Sequence, residues 1–334
     1  MKKTRIYFIE QSTDFNSDDL NSSKIAGAEK ILINITNNLA KDPSLEIKVF
    51  NNTTNEKGLN NVSWINLKKI NKYIIADHLI SMSDANLLSL ISSNKKYLWS
   101  HSVQSIEKFL RKKQLKAFLI NKPIMILEGE YHFKNRSFLT SFFGKKVIKL
   151  APDYDFIETT IDINKLPSQK AIFTTRSDRN LSFLLNNWKT ISKNSPHSEL
   201  HINPPYVLKD EDHKLNIKVR VKSDKSKLIQ ELADSRVMLN PGHKGEVFCL
   251  AAEEARELCV PIVTMGYGSL YERVDHNKTG FIAKNDNEFI NYASKILNDN
   301  DTYLRLKENL LKLRGSKTYD QVSKNLLDIL NENA

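Results

Sequence analysis

Cysteine is nearly absent: Cys249 and Cys259 are the only two in 334 residues. No disulfide framework or cysteine-rich metal site can be built from them, and they read as buried thiols of a reducing compartment. Glycine and proline are also scarce, at 10 and 9, which excludes fibrous and low-complexity chains. No window approaches the ~20 apolar residues of a membrane-spanning helix. The apolar run Ile6-Tyr7-Phe8-Ile9 is far shorter than a signal-peptide core and reads as a first strand. A cytoplasmic protein is expected, placed at most peripherally on the inner face of a membrane.

Metal-ligand patterns are missing as well. His197 and His201 have the i,i+4 spacing that ligates a metal on a helix, but they flank the start of a strand. Asp153-Tyr154-Asp155 is the Asp-x-Asp triplet that could suggest metal-dependent chemistry, but it falls in a stretch without periodicity. No metal site is expected from either.

What is present, 40% hydrophobic and 27% charged residues, describes a globular protein long enough for two domains of roughly 150 residues. Its net charge of +11 is lopsided. Residues 1–150 hold 24 Lys and Arg against 13 Asp and Glu, and the remainder holds 26 of each. The excess is concentrated between Lys95 and Lys149, including Arg111-Lys112-Lys113, Lys116, Lys122, Lys134, Arg136, Lys145 and Lys146. Such a face attracts a polyanion: a lipid headgroup layer, a phosphorylated glycan or nucleic acid. No nucleic-acid-binding module accompanies it, so nucleic acid is not expected as a partner.

Strand-like and helix-like runs alternate along the chain, which predicts parallel sheets covered on both faces. In the first half, strands are expected at 5–10, 46–50, 62–65, 78–81, 96–100, 123–127 and 146–150. Helices are expected at 24–41, 85–91, 105–116 and 131–143. Residues 151–168 lose periodicity and read as a linker. Then come strands at 170–175, 199–203, 236–240 and 261–264, and helices at 180–191, 225–233, 286–297 and 302–313. Two tandem Rossmann-like, doubly wound α/β domains are expected, 1–155 and 168–315, with a helix in 316–334 packing across the hinge. Ligands of such sheets lie beyond the carboxyl ends of the strands, so the two domains are expected to face across a cleft.

Gly245-Glu246-Val247-Phe248-Cys249-Leu250-Ala251-Ala252-Glu253-Glu254-Ala255, followed by Val260-Pro261-Ile262-Val263, places one carboxylate in a loop and another eight residues on, in an apolar helix. With Gly266 to Gly268, Glu272-Arg273-Val274 and Asn277-Lys278-Thr279-Gly280-Phe281-Ile282, this stretch resembles the donor-binding half of GT-B-fold retaining glycosyltransferases, family 4 (glycosyl transferases group 1). The resemblance implies a metal-independent hexosyltransferase that takes a UDP- or GDP-linked sugar as substrate and needs no other cofactor. The acceptor would be a hydroxyl of an anionic lipid-linked or cell-envelope glycan. Glu246 would orient the transferred sugar, Glu254 would bind ribose hydroxyls, the backbone N–H groups near Cys249 and Leu250 would receive a pyrophosphate oxygen at the helix start, and Phe248 would belong to the same donor-binding set. Glu253 is expected to be the solvated neighbour. Arg176 and Arg179 would neutralise the leaving diphosphate. In the first domain, Ile25-Ala26-Gly27-Ala28-Glu29 resembles the family's substrate-approach loop, with Gly27 as the permissive residue. His101, at a strand end, matches a histidine that touches the donor sugar. The family mostly has glycine where this chain has Cys249 and Cys259, and a side chain at 259 implies a slightly different turn. A sugar-nucleotide- or polyanion-binding protein of the same fold without turnover is the alternative reading.

Overall fold

The computed structural model describes residues 2–56 and 60–332. The chain forms two compact units, one running to Leu150 and resuming at Tyr319, the other spanning Ala151–Thr318.

The first unit is built on a seven-stranded sheet of β1 (Thr4–Ile9), β2 (Leu45–Asn51), β3 (Val62–Asn66), β4 (Ile75–Met82), β5 (Ser92–Trp99), β6 (Ile124–Glu128) and β7 (Lys145–Ile148). Every pair is parallel, in the order β3-β2-β1-β4-β5-β6-β7. Tyr7, Ile9, Leu79, Leu98, Met125 and Leu127 share one core with Phe109 and Phe118. The period of two sends the alternate residues, such as Ile6 and Phe8, to the other face, where they are also buried. Each such side chain contributes about 1.5–3 kcal/mol relative to exposure. The Gly27–Leu39 helix is opened by Glu29, whose carboxylate accepts from the Ala26 N–H at 3.1 Å. The last helix, Tyr319–Asn331, packs against it and against β7.

Two helices expected to be continuous are broken. Ile106–Arg111 and Leu115–Asn121 are separated by Lys113 in the left-handed region (φ +53°), where the Gln114 N–H bonds back to Phe109 O at 2.9 Å. Glu130–Lys134 and Phe138–Ser141 are separated because Ser137 starts a new N-terminus and accepts from the Thr140 N–H. Side-chain capping competes here with continuation of the helix.

The second unit has a six-stranded parallel sheet of β8 (Lys170–Phe173), β9 (Glu199–Ile202), β10 (Ile217–Val219), β11 (Val237–Leu239), β12 (Ile262–Thr264) and β13 (Gly280–Ile282), in the order β10-β9-β8-β11-β12-β13. Ala171, Phe173, Val237, Leu239 and Val263 face a core containing Trp188 and Phe289, while Ile172, Met238 and Ile262 face the Leu250–Glu257 helix. The edge strand β10 and the preceding Asp210–Lys214 helix were not anticipated. Three residues are too few for a periodic signal. The stretch 151–168, read as a linker, holds a helix at Tyr154–Glu158 whose Phe156 joins the core beside Leu232 and Leu258. Asp153 and Asp155 both hold the buried Lys225 ammonium, at 2.9 and 2.7 Å. The triplet is thus engaged as an ion pair.

Candidate functional site

In the second unit the loops leaving β8, β11 and β12, three neighbours in the sheet, interlock. Asn180, in the left-handed region at φ +62°, donates from its amide to Gly242 O. Gly242 has φ +88°, and a Cβ there would lie 2.6 Å from Tyr267 O. At Gly268 (φ +70°) a Cβ would lie 2.2 Å from His243 O and 2.8 Å from Glu246 O. Only glycine lets these loops pass so closely.

Within this frame Arg179 Nε lies 3.4 Å from Glu246 Oε2. Arg179 Nη1 also donates to His243 Nδ1 at 2.9 Å, and the Gly245 N–H reaches the same nitrogen at 2.9 Å. Since Nδ1 accepts from both, the proton of the neutral ring sits on Nε2. Burial pushes the Glu246 carboxyl above its ordinary range, against the opposing pull of Arg179, Arg176 and His243. Arg176 is itself exposed and held by Asp178, with Nε to Oδ1 at 2.9 Å. The structure therefore brings Glu246, Arg179 and, through its field, Arg176 to one place. His243 joins them unannounced; the sequence signal was its position between Gly242 and Gly245 in a loop after a strand.

Three residues beyond Glu246 the backbone turns left-handed at Cys249 (φ +61°, ψ +74°), and the Leu250–Glu257 helix begins with no side-chain cap. Its first-turn N–H groups and dipole form a place for an anion. Cys249 is buried, accepts weakly from Asn240 Nδ2 at 3.5 Å, and has its thiol pKa pushed well up by burial. Phe248 is buried too: its ring lies under the Arg273 guanidinium at 4.1 Å and its carbonyl accepts from Arg273 Nε at 2.8 Å.

Glu254 is half-buried on the helix. Its neighbour Glu253 is not the solvated residue expected. It is buried between Arg273 and Arg256, each at 3.1 Å, and Lys317 at 2.6 Å. Burial would raise its pKa, but Arg273, Lys317 and Arg256 outweigh that and hold the carboxyl below its ordinary range. The helix period explains the difference, since Glu253 points to the Arg256 and Arg273 side while the next residue is rotated by about 100°.

The turn after the helix also differs from expectation. Cys259 takes φ +57°, with Cys259 N bonded to Arg256 O at 3.0 Å and Val260 N to Ala255 O at 2.9 Å. This is the paired pattern of a Schellman motif, usually closed by glycine. The cysteine keeps the glycine-type turn and carries its strain.

Of the candidates in the first unit, Gly27 is the first residue of its helix. His101 Nδ1 lies 2.5 Å from Glu128 Oε1, which also accepts from Trp99 Nε1 at 3.1 Å. The Glu128 N–H donates to His132 Nδ1 at 3.1 Å. His132 is buried and its pKa is pushed down to about 4, chiefly by burial. His101 thus sits in a polar cluster at the ends of β5 and β6.

Solved structures share this architecture. WaaG, a glycosyltransferase involved in lipopolysaccharide biosynthesis, superposes with a TM-score of 0.71 at 12% identity, over 97% of this chain and 99% of that one. HepE from Anabaena, solved with UDP and glucose, gives 0.71 at 15% identity over 98% and 99%. A TarM variant from S. aureus, solved with Fondaparinux, alpha-GlcNAc-glycerol and UDP, gives 0.59 at 13% identity, over 76% of this chain but only 55% of that one. This chain thus spans about half of TarM. At these identities the likeness is one of fold: two parallel sheets with helices, as in GT-B glycosyltransferases. No curated protein sequence matches the chain. Residues 175–312, which include Arg176, Arg179, His243, Glu246, Glu254 and Arg273, match the family described as Glycosyl transferases group 1.

Proposed function

We propose that this protein is a retaining glycosyltransferase that moves a hexose or related sugar from a UDP- or GDP-linked donor to a hydroxyl acceptor. The observation that carries the reading is Arg179 held 3.4 Å from Glu246 beside the uncapped start of the Leu250–Glu257 helix. In the reaction the bond from the anomeric carbon to the leaving phosphate oxygen breaks, the acceptor oxygen bonds to that carbon, and the acceptor proton passes to the leaving phosphate. Arg179, Arg176 and the helix N-terminus would take up the charge of the diphosphate, which makes a metal unnecessary in this reading. Glu246 would orient the sugar and stabilise positive charge at the anomeric carbon, and Glu254 would bind ribose. For His101 and Gly27 the reading keeps the roles that the family resemblance implies, a donor-sugar contact and a permissive residue of the acceptor loop. The bound UDP of HepE and TarM supports a uridine donor first. The lopsided positive charge supports an anionic lipid-linked or envelope glycan acceptor, met at the inner face of a membrane. WaaG's role in lipopolysaccharide synthesis fits that class.

The test is calorimetric titration of UDP and GDP alongside UDP-glucose turnover, for the parent chain and Glu246→Ala. Loss of turnover with nucleotide affinity kept within about threefold supports the division of roles, since a contact made mainly in the transition state lowers the rate more than binding. Equal loss of nucleotide affinity refutes it. Tight nucleotide binding by the parent chain without turnover of any hexose nucleotide would make it a binding protein.

A further inference from the structure

The crossovers between β5 and β7 carry an apolar surface that the core of the first unit does not use. Ile106, Leu110, Leu119, Ile120, Phe138 and Phe142 are 45% to 73% exposed. Strands β4, β5, β6 and β7 advance in one direction across the sheet, so right-handed crossovers place both connections on the same face. Side-chain packing shows that they touch. The Phe143 ring lies 4.4 Å from that of Phe118, which lies 4.8 Å from Phe109. The exposed Leu119 and Phe142 are the chain neighbours of Phe118 and the partly buried Phe143 in that row, and Phe138 meets Phe142 edge-on at 4.9 Å. The exposed side chains therefore lie on two crossovers that pack against each other.

The surroundings of this apolar patch are predominantly cationic. Between 105 and 149 the exposed cations are Arg111, Lys112, Lys113, Lys116, Lys122, Lys134 and Lys149, against exposed Glu107 and Glu130. A protein-binding patch is depleted of charge at its centre and enriched in Arg rather than Lys. Aromatic and aliphatic tips among lysines instead match the boundary between headgroups and acyl chains, with long cationic stems reaching up to phosphate. Among the described residues no helix is long and apolar enough to cross a membrane, so attachment through this patch would be interfacial.

We infer that this patch docks the first unit on an anionic bilayer, with Phe138, Phe142, Leu119 and Ile120 entering the interface and the lysines lying among the headgroups. The inference deepens the reading of a membrane-borne acceptor but stands independently of transfer.

The experiment is sedimentation of the whole chain with vesicles of phosphatidylcholine alone or with about a third phosphatidylglycerol, at low and moderate salt. Binding to the anionic vesicles, weakening as salt rises, is expected. Phe138→Ser with Phe142→Ser should lower partitioning about tenfold or more, because two aromatic side chains leave the interface. Lys112→Glu with Lys113→Glu should abolish the preference for anionic lipid. Thermal midpoint and UDP affinity of each variant should match the parent, which separates docking from misfolding. Absence of binding at low salt, equal binding to neutral vesicles, or parental binding by the double Phe variant overturns the inference. So does a parental dimer that the Phe substitutions dissolve, since a second copy would then cover the patch. Vesicle binding without sugar transfer keeps this inference and removes the proposed function; transfer without vesicle binding does the reverse.

Discussion

Cys259 offers a sharp test of how the Leu250–Glu257 helix is closed. It closes a Schellman turn at φ +57°, is buried, and has its thiol pKa pushed up to about 11 by burial. A residue with a Cβ in the left-handed region costs about 1–2 kcal/mol, which glycine avoids. Glycine in turn loses about 0.4–1 kcal/mol through the greater freedom of the unfolded chain. Both Cys259→Gly and Cys259→Ala remove Sγ, so that loss cancels between them. What remains favours glycine by roughly 0.5–1 kcal/mol, with β-branched Cys259→Val below both. Urea melts of the three variants should give midpoints in the order Gly, Ala, Val. An alanine variant as stable as the glycine variant would show that the turn is not strained and would refute the account.

Glu253→Gln leaves three buried or half-buried cations without their shared carboxylate and should cost about 3 kcal/mol in a thermal or urea melt. Because the Glu253 pKa is depressed in the fold, this contribution is present above the ordinary carboxylate range. It fades as pH falls through the folded value, so parent and variant should converge in acid. His132, with a folded pKa of about 4 against an ordinary 6.5, is neutral in the fold while the unfolded chain takes up its proton. Stability should therefore fall by about 3 kcal/mol between pH 6.5 and 4, and His132→Gln should flatten that part of the profile. Gly268→Ala drives a Cβ to 2.2 Å from His243 O; loss of UDP affinity in calorimetry, with the sheet's far-ultraviolet dichroism retained, is the expected result.

Strand and helix alternation was readable because buried parallel strands and amphipathic helices leave long apolar signals, as at β1 and the Lys225–Ala233 helix. Short elements escaped for the opposite reason. The three residues of β10 have no period, and the breaks at Lys113 and Ser137 depend on local backbone bonds that apolar spacing does not report. In the candidate site, Glu246, Arg179 and Glu254 were named from the family resemblance, and the fold sets Arg179 beside Glu246. The burial of Glu253 was not, because Arg273 and Lys317, 20 and 64 residues on, reach it only through the fold.

By itself, then, the sequence determined the class of fold and the lopsided charge, which follow from periodicity and composition, while the candidate site residues rested on the family resemblance. Tertiary structure alone decided which groups meet. It set Arg179 against Glu246 and His243, turned Cys249 and Cys259 into left-handed hinges at the two ends of one helix, and left Phe138 and Phe142 outside the core among lysines. These are consequences of loops leaving adjacent strands in space, a relation that order along the chain does not contain.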